Sequence, residues 1–204
     1  MRVYLANLIA QGYFEYLKSK AQFKTALDIG ARYGNLVKIM EDSGIQAEGI
    51  EADQNTIQYA ISDKIKWALF SEQYETDKKY DLICLTQMIF YLPNTLEVLR
   101  KVLSMLNPHG FIFISTYNPD SHFREEYQEN IRLKTDYQEI CKHLDMEILD
   151  YSGYQFNYSI DFADKGKTEK IMGFLKYRLG KKKIFIPDPK GFCAFILLRN
   201  KIQE

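Results

Sequence analysis

The residues whose types and spacing could do chemistry begin in the run ALDIGARYGNL, Ala26 to Leu36. An acid and two glycines, Asp28, Gly30 and Gly34, close an apolar segment, and a second acid, Glu51, stands 21 residues after Gly30. Glycines at such a place let the backbone approach a ligand closely. An acid about 20 residues further on can accept from both hydroxyls of a ribose, one on each oxygen. A pyrophosphate-binding loop calls for G-x-G-x-x-G, with the phosphates seated on a helix N-terminus. This chain reads G-x-x-x-G, with Arg32 where nucleotide loops often carry another glycine. The spacing disfavours a nicotinamide dinucleotide.

Other reactive residues are sparse. Cys84, Cys141 and Cys193 are odd in number and far apart, which supplies neither a disulfide framework nor a metal-ligand spacing. A reducing, cytoplasmic setting is expected. Among the three histidines, His109 belongs to the turn NPHG and His143 to a helical segment, while His122 follows the fifth predicted strand.

These residues need a scaffold, and the 204-residue chain, 46% hydrophobic, is long enough to build one sizeable core. Its 27 basic and 27 acidic residues cancel, so global charge does not point to nucleic acid. No signal-peptide pattern and no run of 18 uncharged apolar residues occurs. Apolar residues recurring every three or four positions from Leu5 to Leu17 predict an N-terminal amphipathic helix, a cap over residues 1–21. KTALDIG reads as a strand, NLVKIMEDSG as a helix, IQAEGIEA as a strand ending at Glu51, TIQYAISDKI as a helix and KWALF as a third strand. YDLICLT is a fourth strand. PNTLEVLRKVLSML is a helix, with Asn94 and Glu97 spaced as a capping box. The turn NPHG, the strand FIFISTY, the helix DYQEICKHL and the strands MEILDYSGY and GFCAFILLR follow. Alternation of this kind predicts one doubly wound α/β domain over 1–204 with a seven-stranded, mostly parallel sheet. An insertion, residues 156–190, separates the last two strands, which could pair antiparallel at one edge.

The pattern resembles the Rossmann-like, class I S-adenosylmethionine-dependent methyltransferases. Asp28, Gly30 and Gly34 match their loosely written D-x-G-x-G-x-G loop, and Arg32 departs from it. YDLICLTQMIFYLPN resembles the family's fourth strand and following turn, and LNPHGFIFIST its turn into the fifth strand. The likeness covers about residues 22–155 and 191–200, and implies an inserted antiparallel last strand. It implies that Gly30, Ala31 and Gly34 lie against the methionine part of S-adenosyl-L-methionine, that Asp28 orders the loop and the amino group, and that Glu51 holds the ribose. Ala52 would leave room for adenine. The family's usual Asp after the third strand is replaced by Ser71, with Phe70 and Glu72 beside it. Gln87 would stand near the transferable methyl, with Met88, Phe90 and Tyr91 as further lining or as core.

Methyl transfer mainly needs alignment of an acceptor, and a base only where the nucleophile arrives protonated. His122 and Tyr117 are the candidates for that role, with Asn118 as a substrate contact. The expected function is methyl transfer to a small molecule by a bacterial-type enzyme, oxygen slightly preferred. The competing class is a protein of the same fold that binds the cofactor without catalysis. Residues 165–190 carry nine basic residues against two acidic ones, a net +7, which leaves −7 on the rest. Three roles stay open for this lobe: a helix packed on the sheet, a site for an anionic substrate, or contact with a membrane surface or RNA.

Overall fold

The computed structural model describes residues 2–121, 134–156 and 183–201. The chain order is α1 (Arg2–Lys20), β1 (Thr25–Ile29), α2 (Asn35–Asp42), β2 (Gln46–Glu51), α3 (Gln54–Ile57), β3 (Ile65–Trp67), β4 (Tyr80–Thr86), α4 (Thr95–Ser104), β5 (Leu106–Tyr117), α5 (Lys134–His143), β6 (Met146–Phe156), β7 (Phe185–Pro187) and β8 (Cys193–Asn200). One sheet runs β3-β2-β1-β4-β5-β8-β6-β7. The strands from β3 to β5 pair in parallel, and β8 lies antiparallel between β5 and β6.

Side-chain alternation divides the core. Ala26, Leu82, Cys84, Phe113, Phe195 and Leu197 face α1 and α2, whose Tyr13, Leu17, Val37 and Met40 cover them. Leu27, Ile83, Leu85, Ile112, Ile114 and Ile196 face the other way, under Val98, Leu99 and Val102 of α4 and Tyr137 of α5. Period-two burial on both faces is what a sheet sandwiched by helices requires. The Asn94 side chain caps α4 by accepting from the Glu97 N–H at 3.4 Å.

Three expectations change. The sheet has an eighth strand among the described residues, because Phe185–Pro187 of the insertion pairs with Tyr154–Phe156. The last strand is interior, bonded antiparallel on both sides, as the inserted last strand of the resemblance implies. The helix expected over 56–65 is only the four residues of α3. Its continuation spends its polar groups elsewhere: the Ile61 N–H donates to the Tyr33 carbonyl at 2.9 Å and the Ser62 hydroxyl to Glu41 at 2.7 Å. Tyr59 and Ile61 are exposed, so no core reward offsets those losses. The third strand is also displaced, ending at Trp67 rather than Phe70.

Candidate functional site

The carboxyl ends of β1, β2 and β4 bring the sequence candidates together. Asp28 lies opposite Gly49 of β2 and Cys84 of β4, one residue before the end of β1. The loop that follows folds against β2: the N–H groups of Gly30 and Ala31 both donate to the Ile50 carbonyl, at 2.9 and 3.0 Å. Gly30 and Gly34 each have φ 77°, in the left-handed region where a side chain costs energy. At Gly34 a Cβ would also lie 2.8 Å from Ile65. Arg32 sits in the same region at φ 50° without being glycine. Its conformation aims the Arg32 N–H at Glu51 Oε2, 2.8 Å away, while the Asp53 N–H donates to Oε1 at 2.9 Å. The Glu51 carboxylate is thereby fixed by one backbone donor on each oxygen. Each oxygen keeps further acceptor capacity. The Arg32 guanidinium lies over the Tyr33 ring, 5.8 Å from its centre.

Asp28 is the electrostatic anomaly. It is 3% exposed, and its Oδ1 has no hydrogen-bond partner among the described residues. Burial, then the nearby Glu51 charge, push its carboxyl up to about 8. A buried acceptor left unsatisfied costs about 1 to 3 kcal/mol. A cationic donor arriving at this point would recover that cost and hold the acid ionised. Asn35, not singled out by the sequence reading, is also buried beside the loop, with its Nδ2 unpartnered among the described residues. Its only sequence signal is its place directly after Gly34.

Gln87 leaves the end of β4 at φ 53°, its N–H donating to the Ser115 carbonyl at 2.7 Å. The next residue, Met88, meets the loop: a Cβ on Gly30 would lie 3.3 Å from the Met88 Cβ. Ala52 is exposed, and its carbonyl accepts from Trp67 Nε1 at 2.9 Å. Trp67, paired in register with Glu51, is thus an exposed ring at the same end of the sheet. Periodicity alone marked it only as a strand residue. Ser71 closes a turn with Gln73, and Phe70 is buried in the core against Tyr74, 5.5 Å between ring centres. Tyr117 packs on Phe90 and Phe192, both at 5.1 Å. Asn118 donates to the carbonyls of Pro189 and Gly191 and accepts from the Asp120 N–H. Both hydrogens of its amide are therefore spent on the 189–191 turn. His122, like residues 157–182 of the basic insertion, lies outside the described residues.

Burial pushes the Cys193 thiol up to about 12 and the Cys141 thiol to about 11, so neither is a ready nucleophile. A surface cleft of about 580 Å³ opens at the opposite, amino ends of the strands, among Thr25, Gln46, Glu48, Lys78 and Tyr80. Its charges answer one another: Lys78 Nζ reaches both Glu48 oxygens, at 2.7 and 2.8 Å, and the Tyr80 hydroxyl donates to Glu48 at 2.6 Å. The unsatisfied acid is at the other end.

A parallel sheet with an inserted antiparallel strand, a glycine loop after β1 and an acid at the end of β2 define the Rossmann-like methyltransferase fold. The chain belongs to the methyltransferase domain family, whose match covers residues 1–160. It is 27% identical over 104 residues to the ubiquinone biosynthesis O-methyltransferase of Serratia proteamaculans, covering 47% of this chain and 43% of that protein. It is 26% identical over 121 residues to the enzyme of the same name from Haemophilus ducreyi, covering 52% and 51%. The chain thus spans about half the length of these relatives. Among solved structures, the plantazolicin methyltransferase BpumL in complex with a monoazolic desmethylPZN analog and SAH superimposes with a TM-score of 0.59 at 18% identity, over 96% of this chain and 83% of that one. A SAM-dependent methyltransferase from Archaeoglobus fulgidus gives 0.61 at 16% identity, over 94% and 93%. Among the described residues no helix is long and apolar enough to cross a membrane.

Proposed function

We propose that this chain binds S-adenosyl-L-methionine at the carboxyl ends of β1, β2 and β4 and catalyses transfer of its methyl group to a small-molecule acceptor, preferably at oxygen. The observation that carries this reading is the pair of carboxylates. Asp28 offers a buried acceptor with no partner of its own, suited to an ammonium group. Glu51, held by the Arg32 and Asp53 N–H groups, offers two oxygens to vicinal hydroxyls. Gly30, at φ 77°, brings no side chain to the turn of the loop. The cofactor supplies a methyl made electrophilic by the adjacent sulfonium. The chain's own task is to orient and enclose, since alignment supplies much of the rate in such a displacement. A protonated hydroxyl acceptor also needs a base, the role proposed for His122 or Tyr117.

The preference for oxygen draws on the names of the bacterial O-methyltransferase relatives. The net +7 of residues 165–190 favours an anionic acceptor through its field. Three free, buried cysteines support a cytoplasmic location for this reading. Calorimetry with S-adenosylmethionine, S-adenosylhomocysteine and NAD tests the cofactor assignment: the two sulfur compounds bind and NAD does not. Failure of both to bind overturns it. Screening neutral and anionic phenols and alcohols for S-adenosylhomocysteine release then tests the acceptor class.

A further inference from the structure

Gln87 is not a free side chain at the mouth of the site. Its Nε2 donates to the Ser115 hydroxyl at 2.9 Å and points to Cys193 Sγ at 3.8 Å. Ser115, fully buried on β5, donates in turn to the Tyr13 hydroxyl of α1 at 3.0 Å. Residues 102 positions apart are thus joined beneath the cleft. Tyr13 is itself held from three sides, stacked on Phe185 at 5.4 Å and edge-on to Phe113 and Phe195 at 5.6 and 5.4 Å. A ring clamped in this way cannot follow Gln87. Gln87 must follow it.

The arrangement also decides which end of the carboxamide is presented. Both amide hydrogens of Gln87 are directed at inward acceptors, Ser115 Oγ and Cys193 Sγ. Its Oε1 receives no hydrogen bond from the described residues. Burial, then the Cys193 thiol, keep the Tyr13 phenol far above its ordinary range, so it stays protonated. Asp28 and Gln87 therefore bring two acceptor oxygens to neighbouring strand ends, and together they suit a ligand that carries positive charge.

We propose that Tyr13 and Ser115 are positioning residues that lock the Gln87 carboxamide with its oxygen toward the cofactor cleft, so that the site discriminates the charged sulfonium of S-adenosylmethionine from the neutral thioether of S-adenosylhomocysteine. The inference rests on the cofactor reading above. It assigns the N-terminal helix a part in the site. Neither the loop after β1 nor the acid at the end of β2 requires that part.

The test compares affinities for the two sulfur compounds by calorimetry in the full chain and in Tyr13→Phe, Ser115→Ala, Gln87→Met and the double variant Tyr13→Phe/Gln87→Met. Phe keeps the stacked ring and removes only the hydroxyl, and thermal melting confirms that each variant is folded. The ratio of S-adenosylmethionine to S-adenosylhomocysteine affinity, relative to the unaltered chain, is expected to fall about fivefold in Tyr13→Phe and in Gln87→Met, the size of one hydrogen bond. The double variant falls no further than Gln87→Met alone, because both act through one carboxamide. In the free protein, the Gln87 side-chain amide resonances shift in Tyr13→Phe and Ser115→Ala. An unchanged preference in Tyr13→Phe, or independent additive losses, overturns the proposal while leaving cofactor binding intact. Failure of the unaltered chain to bind either compound overturns the cofactor reading instead.

Discussion

Two aspartates on neighbouring strands show how differently the ends of this sheet are built. Asp81, at the start of β4, accepts from the Lys24 and Thr25 N–H groups at 2.8 and 3.0 Å and from Asn107 Nδ2 at 2.8 Å. Partial burial works against its charge, but these donors outweigh it and hold the carboxyl below its usual range. Asp28, near the end of β1, has an oxygen with no such partner, and its carboxyl is pushed up to about 8. One acid is saturated by its own chain and ties three strands together. The other is kept unsaturated at a cost in stability, which is how a binding site differs from a structural joint.

The largest effect expected from breaking this contrast is on ligand binding. Asp28→Asn removes the charge that would meet an ammonium group, and affinity for S-adenosylhomocysteine falls by about 2 to 3 kcal/mol, the scale of a charged hydrogen bond. The same substitution alters pH dependence. The folded Asp28 keeps its proton up to about pH 8, whereas in the unfolded chain it ionises near pH 3.9. Between these values the folded state binds more protons, so stability declines as pH rises. Thermal melting of the cofactor-free protein from pH 5 to 8.5 shows that decline, and Asp28→Asn flattens it.

Asp81→Ala gives the mirror result. It strands two backbone N–H groups and costs about 2 kcal/mol of stability, measured by urea unfolding, with cofactor affinity unchanged. The lowered carboxyl of Asp81 adds a stability that is present above the unfolded value and is lost as pH falls below about 4. Glu51→Ala is next, weakening cofactor binding by about 1.5 to 2 kcal/mol in all, the low end of the range for a charged hydrogen bond.

Arg32→Gly has the smallest effect. It relieves the left-handed strain at φ 50° but adds freedom to the unfolded chain, for a net change within about 1 kcal/mol. The Arg32 N–H that holds Glu51 survives the substitution, so cofactor affinity stays within about threefold.

The contrast also marks what was legible in the sequence. Asp28, Gly30, Gly34 and Glu51 could be found because spacing along one strand-turn-helix unit fixes their places in space. The strands Thr25–Ile29 and Tyr80–Thr86 were equally plain, since buried parallel strands are continuous apolar runs. The Tyr13–Ser115–Gln87 hydrogen-bond chain and the burial of Asn35 were not legible. They arise from contacts across the fold, such as the one between Tyr13 and Ser115, 102 residues apart. The failed helix after Ile57 has a local cause that periodicity does not register, because Tyr33 and Glu41 capture its N–H and hydroxyl groups. Arg32 read as a departure from the glycine loop, yet its backbone performs the turn a glycine would, and the loop geometry tolerates the substitution.

Proton release on cofactor binding tests the central claim most directly. Titrating S-adenosylhomocysteine into the protein at pH 7, in buffers of differing ionisation enthalpy, counts the protons exchanged. If Asp28 receives the cofactor's ammonium group, its carboxyl ionises and nearly one proton leaves per cofactor bound, an exchange that Asp28→Asn abolishes. Binding without proton release, or release that persists in Asp28→Asn, would contradict the assignment of this acid as the heart of the site.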